Sequence, residues 1–234
     1  MASKSRTEQA YEALKSELLD GGYAPGSKLK IDTLCEHLGV SPGAVREALS
    51  RLTSDGLVSA EPQRGFMVAQ VSAEDLIDLT SVRIAIETRC LRRAIQVGNL
   101  AWEGRIKDTW HQLEKTPVKS GVRPGTMNPD WTRLHTAFHD SLLAACDSRW
   151  GLKLRDQMYV QAERYRRMML PYAKIPREPD AEHEAIVQAV LARDADRACR
   201  LLAHHLQKTA DILLASDAPF NDVPNHSARK QDAQ

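Results

Sequence analysis

His135 and His139 stand four residues apart in a stretch of helical period, so their imidazoles project from one face of one helix. Two more imidazoles, His183 and His205, come from two further helical segments near the end of the chain. Neutral imidazole is a common ligand for divalent metals, and three helices that meet could bring all four nitrogens to one cation. Four nitrogens favour zinc or nickel over magnesium or calcium, which prefer oxygen. If His135 turns away, three imidazoles remain, with open positions for a ligand carboxylate. The bland alternative is a polar helix edge, since His37, His111 and His204 show that the chain has histidines to spare. Arg83 and Glu87, one helical turn apart, form a second pairing. It is either an ordinary ion pair or a bidentate grip on an anion.

A third constellation lies nearer the N-terminus. Ser41 followed by Pro42 opens a helix with a capping hydroxyl and a proline at the first helical position. With Gly43 next, this helix start offers unpaired N–H groups and a positive dipole end to a phosphate. Arg46 projects one turn further along the exposed side, and Arg51 also lies off the apolar face, as expected of a helix that enters a DNA groove. Arg64 and Gly65 fall at a hairpin tip that can reach an adjacent minor groove or the DNA backbone. Charge balance alone would not suggest this, because the net charge is only +1 and residues 1–70 carry eight Lys/Arg against nine Asp/Glu. DNA binding therefore rests on where the charges sit, and the competing reading is a solvated face used for protein contacts.

The elements that must position these residues follow from periodicity. Ala10, Leu14 and Leu18 share one face of a helix over 6–20, ended by Gly21-Gly22. Asp32 is the expected N-cap of a short helix that stops at Gly39, and Val45, Ala48, Leu49 and Leu52 form the buried stripe of the helix from Ser41. Strand-like runs at 57–60 and 66–69 flank a hairpin loop. From Ser72 onward the pattern is helical throughout: about 72–96, a helix placing Trp102, Ile106, Trp110 and Leu113 inward, one opening at Asn128-Pro129, one capped by Asp147 or Ser148 and running to Met169, one from Asp180, and one from Asp194 to about Ala215. The segments 116–127 and 171–179 read as breaks. The fold class is mainly α, an N-terminal winged helix-turn-helix over 1–70 and an all-helical bundle of about six helices over 71–216, with a polar flexible tail over 217–234.

Hydrophobic content of 42% with 27% charged residues is that of a globular protein and excludes a disordered or fibrous chain. Cys35, Cys90, Cys146 and Cys199 are scattered among apolar positions and read as reduced core thiols of a cytoplasmic protein. No run is long and apolar enough for a membrane span, and the start lacks the apolar stretch of a secretory signal.

The run Gly39 to Leu52, with Asp55-Gly56-Leu57-Val58 and Arg64-Gly65-Phe66, resembles the DNA-binding domain of the GntR family of transcription regulators, in register through turn, recognition helix and wing. The resemblance implies that Arg46 reads a guanine and that Gly65 lets the wing approach closely. Asp32 stands where the family often has a basic residue, and Pro42-Gly43 replaces a commoner basic-then-hydroxyl pair. Residues 72–215 resemble the FCD effector domain of the FadR branch: Arg83 and Glu87 match its Arg-x-x-x-Glu, Phe138-His139 its Phe-His pair, and His183, Ala189, Asp194, Ala198 and His205-Leu206 its closing pattern. The family usually has Asp at the position of His135. The stretches Trp131 to Phe138 and Ala162 to Arg166 are similar to regulators that sense glutarate and govern glutarate and GABA catabolism.

These resemblances imply a homodimeric repressor of palindromic double-stranded operator DNA, released by a small dicarboxylate such as glutarate or 2-hydroxyglutarate. Arg83 would grip one carboxylate, with Arg164 or Arg166 and Tyr165 at the other end. The alternatives are the same regulator sensing a different organic acid, or a helical metalloenzyme with a DNA-binding appendage that uses Glu182 or Glu184 as acid or base. No compact metallohydrolase signature supports the latter, which would also leave the first 70 residues unexplained.

Overall fold

A computed structural model of the chain describes residues 5–118, 127–169, 179–216 and 220. Most of the expected loop 116–127, the break as far as 178, and the expected tail apart from Phe220 lie outside the described residues. The described residues divide into two compact units, the first ending at Leu76 and the second beginning at Ile77. The division falls in the first turn of a helix, a few residues past the boundary expected at 70.

The first unit contains α1 (Arg6–Leu19), β1 (Lys28–Leu29), α2 (Ile31–Leu38), α3 (Pro42–Ser54), β2 (Val58–Glu61) and β3 (Gly65–Val68). The Ser5 hydroxyl accepts the Glu8 N–H at the start of α1, and Ser41 accepts from the Ala44 N–H with Pro42 at the first helical position of α3. Gly39, at φ 63°, ends α2 in the left-handed region that a side chain would resist. Leu14, Leu18, Val45, Ala48, Leu49 and Leu52 close the core between α1 and α3. The sheet has the order β1-β3-β2, wholly antiparallel, with Val58 opposite Val68 and Glu61 opposite Gly65.

Two details depart from expectation. β1 carries no periodic signal in two residues; it exists because Lys28 and Leu29 pair with Met67 and Phe66. This strand delivers the chain into α2 two residues early, so Lys30 occupies the N-cap without a side-chain cap bond. Asp32 instead lies in the first turn, where its charge still complements the helix dipole.

The second unit is built from α4 (Ala73–Val97), α5 (Leu100–Glu114), α6 (Pro129–Leu143), α7 (Arg149–Met169), α8 (Pro179–Leu191) and α9 (Ala195–Leu214). Side chains set the helix starts: Asn99 caps α5, Asn128 caps α6 ahead of Pro129, and Asp194 caps α9. Ser148 is the cap of α7, accepting the Gly151 N–H, because Asp147 is turned to a bidentate pair with Arg93. Trp102, Ile106, Phe138, Leu142, Ile186, Val190 and Leu202 are fully or almost fully buried in one core that carries α6, α8 and α9. Among the described residues no helix is long and apolar enough to cross a membrane.

Trp102 ties this core together: its ring is buried, its indole N–H donates to the Ser141 carbonyl at 2.9 Å, and the Arg193 guanidinium lies 5.3 Å from the ring centroid. Trp102→Ala is expected to destabilise the second unit by about 3–5 kcal/mol through the cavity left by the ring. Urea denaturation checks this; a loss below ~1 kcal/mol would mean the indole is not packed as described.

Candidate functional site

α6 directs His135 and His139 into the interior of the second unit, α8 contributes His183 and α9 His205, and all four are buried. One ligand nitrogen from each lies within 4.8 Å of every other. The Nε2 atoms of His135 and His139 are 3.2 Å apart. Two nitrogens at zinc–nitrogen distance from one tetrahedral ion would be separated by about 3.3–3.4 Å. His135 therefore does not turn away from the cluster. The rings of His183 and His205 are 4.6 Å apart between centroids, and Trp131 stacks on His135 at 4.6 Å.

The electrostatics suit ligation. Burial, followed by the neighbouring imidazoles, pushes the basicity of His135 and His139 well below the usual histidine range; Arg166 adds to the effect on His135, and Arg83 and Arg155 add to that on His139. Both are thus neutral and able to donate a lone pair. The Nδ1 atoms of these two rings have no hydrogen-bond partner among the described residues, so the cluster does not satisfy itself. Glu182 faces His205 Nδ1 at 3.0 Å and is itself held by Lys208 at 2.7 Å. A carboxylate there holds the proton on Nδ1 and leaves Nε2 to face the cluster, the usual support of a metal-binding histidine. The donor set, its neutrality and this supporting carboxylate fit a divalent cation.

Charged groups border the cluster. Arg83 donates from Nε to Glu87 Oε1 at 2.6 Å, so the ordinary ion pair is formed; Glu87 is 1% exposed. The Arg83 guanidinium also lies 5.2 Å from the centroid of Tyr159, whose ring is 6.3 Å from His139. On the other end, Arg166 is held by Glu163, donates towards Met127 Sδ and sits 5.1 Å from the Trp131 ring. Burial alone would raise the Glu163 pKa, but Arg166 and Arg167 outweigh it and hold the carboxyl below its usual range. Arg164 and Tyr165 are buried in the same helix.

Arg155 escaped the sequence reading. It is 4% exposed, and its guanidinium lies 4.4 Å from the Tyr159 centroid. Burial works against its charge, but Glu87 and Asp140 more than compensate and raise its pKa. Nothing in the sequence separates it from the other arginines of α7, because only the packing of α7 against the cluster turns this one inward.

In the first unit Ser41, Pro42, Gly43 and Arg46 are exposed at the start of α3, and Arg64 and Gly65 are exposed at the hairpin tip. Gly65 has φ 84°, and Arg64 pairs with Glu61. Arg51 is differently employed from the expectation: Nη1 donates to Glu8 at 2.7 Å and the guanidinium lies 3.9 Å from the Tyr11 centroid, so it braces α3 against α1.

Residues 6–68 match the family described as bacterial regulatory proteins, gntR family, and residues 78–208 match the FCD domain. The chain is 34% identical to the uncharacterized HTH-type transcriptional regulator BphR of Paraburkholderia xenovorans (strain LB400), over 90% of this chain and 86% of that protein. It is 32% identical to the HTH-type transcriptional repressor GlaR of Escherichia coli (strain K12), over 87% and 93% respectively. Among solved structures, E. coli McbR/YncC shares the fold with a TM-score of 0.72 at 23% identity, covering 90% of this chain and 98% of that one.

Glu182→Gln is expected to weaken zinc or nickel binding by about 10- to 100-fold while leaving the fold intact, because it removes the negative charge that holds the proton on His205 Nδ1 and raises the basicity of its Nε2. Competition with a chromophoric chelator measures this, and an unchanged affinity would mean that His205 is not a ligand.

Proposed function

We infer the function from one premise: the chain belongs to the gntR family of bacterial regulatory proteins and carries an FCD domain. It is a ligand-responsive, DNA-binding transcription regulator and not an enzyme, as the named regulators with which it shares most of its length also indicate. Beyond this, we propose a cytoplasmic homodimeric repressor of palindromic operator DNA, released by a small dicarboxylate, with glutarate and 2-hydroxyglutarate foremost.

The observation that carries the ligand reading is the buried cluster of four imidazoles bordered by buried guanidiniums. His135, His139, His183 and His205 would hold one divalent ion, zinc or nickel by the nitrogen donor set. When bound, that ion supplies a Lewis-acidic positive centre that a carboxylate can ligate. The protein's own groups do the rest: Arg83, already fixed by Glu87, offers its remaining donors beside Tyr159, and the Trp131 and Phe138 rings wall the imidazoles from water. Positive charge in a dry interior is costly unless an anion neutralises it. The likeness of Trp131–Phe138 and Ala162–Arg166 to glutarate-sensing regulators supports a five-carbon diacid among such anions.

The DNA reading rests on the exposed, capped start of α3 and the arginine one turn along it. A winged unit with no excess of basic residues offers few phosphate contacts, which favours two copies on two half-sites.

Two outcomes test this. Glutarate at millimolar concentration is expected to release the metal-loaded protein from a labelled operator, with a coupling of roughly 1–3 kcal/mol, and operator to weaken glutarate binding by the same factor. If five-carbon diacids neither bind nor loosen the complex while a sugar or aliphatic ligand does, the effector assignment is wrong and the regulator stands. Arg46→Ala is expected to cost about 1–3 kcal/mol per half-site on operator and little on random DNA; equal losses on both would reduce Arg46 to a phosphate contact.

A further inference from the structure

We propose that Arg155 is a second receptor for an anionic group of the effector, set with Arg83 against the ring of Tyr159 and selecting diacids over monoacids. The proposal rests on the effector reading above.

The guanidinium of Arg155 has two working edges in different circumstances. Nη1 donates to Asp140 and Asp156, whose side chains are 52% and 69% exposed. Nε and Nη2 are buried and have no hydrogen-bond partner among the described residues. Glu87 Oε1 is 3.9 Å from Nε, outside hydrogen-bond reach, and already accepts from Arg83. Two charged N–H donors left unbonded in an interior are a large cost unless something reaches them.

The same edge shows its use elsewhere in this chain. Arg93 grips the two oxygens of Asp147 through Nε and Nη2, and Arg166 grips those of Glu163 in the same way. That planar fork matches a carboxylate, and in Arg155 it is turned inward, where Glu87, at 3.9 Å from Nε, stays beyond hydrogen-bond reach.

Position and charge agree. The guanidiniums of Arg155 and Arg83 lie 4.4 and 5.2 Å from the Tyr159 centroid, and Tyr159 is a ring neighbour of His139 at 6.3 Å. The Tyr159 hydroxyl donates to Thr136 Oγ1 at 3.1 Å, which fixes the ring that both arginines lie against. Two arginine charges face a single buried carboxylate, Glu87, since Asp140 and Asp156 are half or more in solvent. A ligand carboxylate on the Nε/Nη2 edge would balance that excess while a second one engages the histidine centre. A monoacid can occupy only one of these places.

The test is calorimetric titration of glutarate and of pentanoate, its monoacid counterpart, into the full-length zinc-loaded protein and its R155Q and R155K variants. Wild type is expected to prefer glutarate. In R155Q glutarate affinity should fall by about 10- to 100-fold, the loss of a charge-assisted pair, while pentanoate moves less than about threefold. R155K, which keeps the charge but not the fork, should recover only part of the preference, and it decides the matter if R155Q fails to fold. Equal weakening of both acids, or a preference that survives in both variants, overturns the role of Arg155 and leaves the effector reading intact. If wild type binds neither acid, the effector reading fails first and the assignment falls with it.

Discussion

The interior of the second unit must accommodate polar groups that an all-helical core ordinarily excludes, and the rest of that unit is arranged around satisfying them. Four imidazoles, three arginines and two glutamates point inward from α4, α6, α7, α8 and α9, and each would cost several kcal/mol if left desolvated and unpaired. Pairing covers part of the set: Glu87 takes Arg83, Glu163 takes Arg166, and Glu182, at the edge, takes His205 and Lys208, while the Nδ1 atoms of His135 and His139 and the Nε and Nη2 atoms of Arg155 have no hydrogen-bond partner among the described residues. Helical spacing makes the first two pairs local, because residues three or four apart share a face.

Burial also sets protonation. In a water-poor cluster the charged imidazolium is the expensive form, so His135 and His139 stay neutral beside three arginines, Arg83, Arg155 and Arg166, that further oppose a positive charge. The aromatic rings of Trp131, Phe138 and Tyr159 fill the space that water would otherwise occupy. A low local dielectric then makes the site sensitive to charge: adding one carboxylate there changes the energy far more than it would at a surface. A sensor needs that sensitivity.

The first unit is organised the opposite way. Its core is apolar and small, its charged groups lie outside, and the residues expected to meet DNA carry no burial cost. Arg51 shows how packing reassigns a surface arginine: with Glu8 and Tyr11 brought beside it by the pairing of α1 with α3, the guanidinium becomes a brace.

Periodicity, caps and punctuation determined the winged unit, the six-helix pattern of the second unit, and the His135/His139 pair, since i, i+4 spacing is a local property of the sequence; His183 and His205 joined them only through the family resemblance. What local pattern could not decide is which way a side chain turns once helices pack. Two residues of β1 became a strand only through β3, which moved the start of α2 off Asp32. His135 faces its neighbours and not solvent because α6 is rotated to bury Trp131 and Phe138 beside it. Arg155, one of several arginines on α7, acquires its buried fork only where α7 meets Glu87 of α4. A sequence specifies the face of a helix; the partner that face meets, and hence the charge it must balance, is fixed by residues far away along the chain.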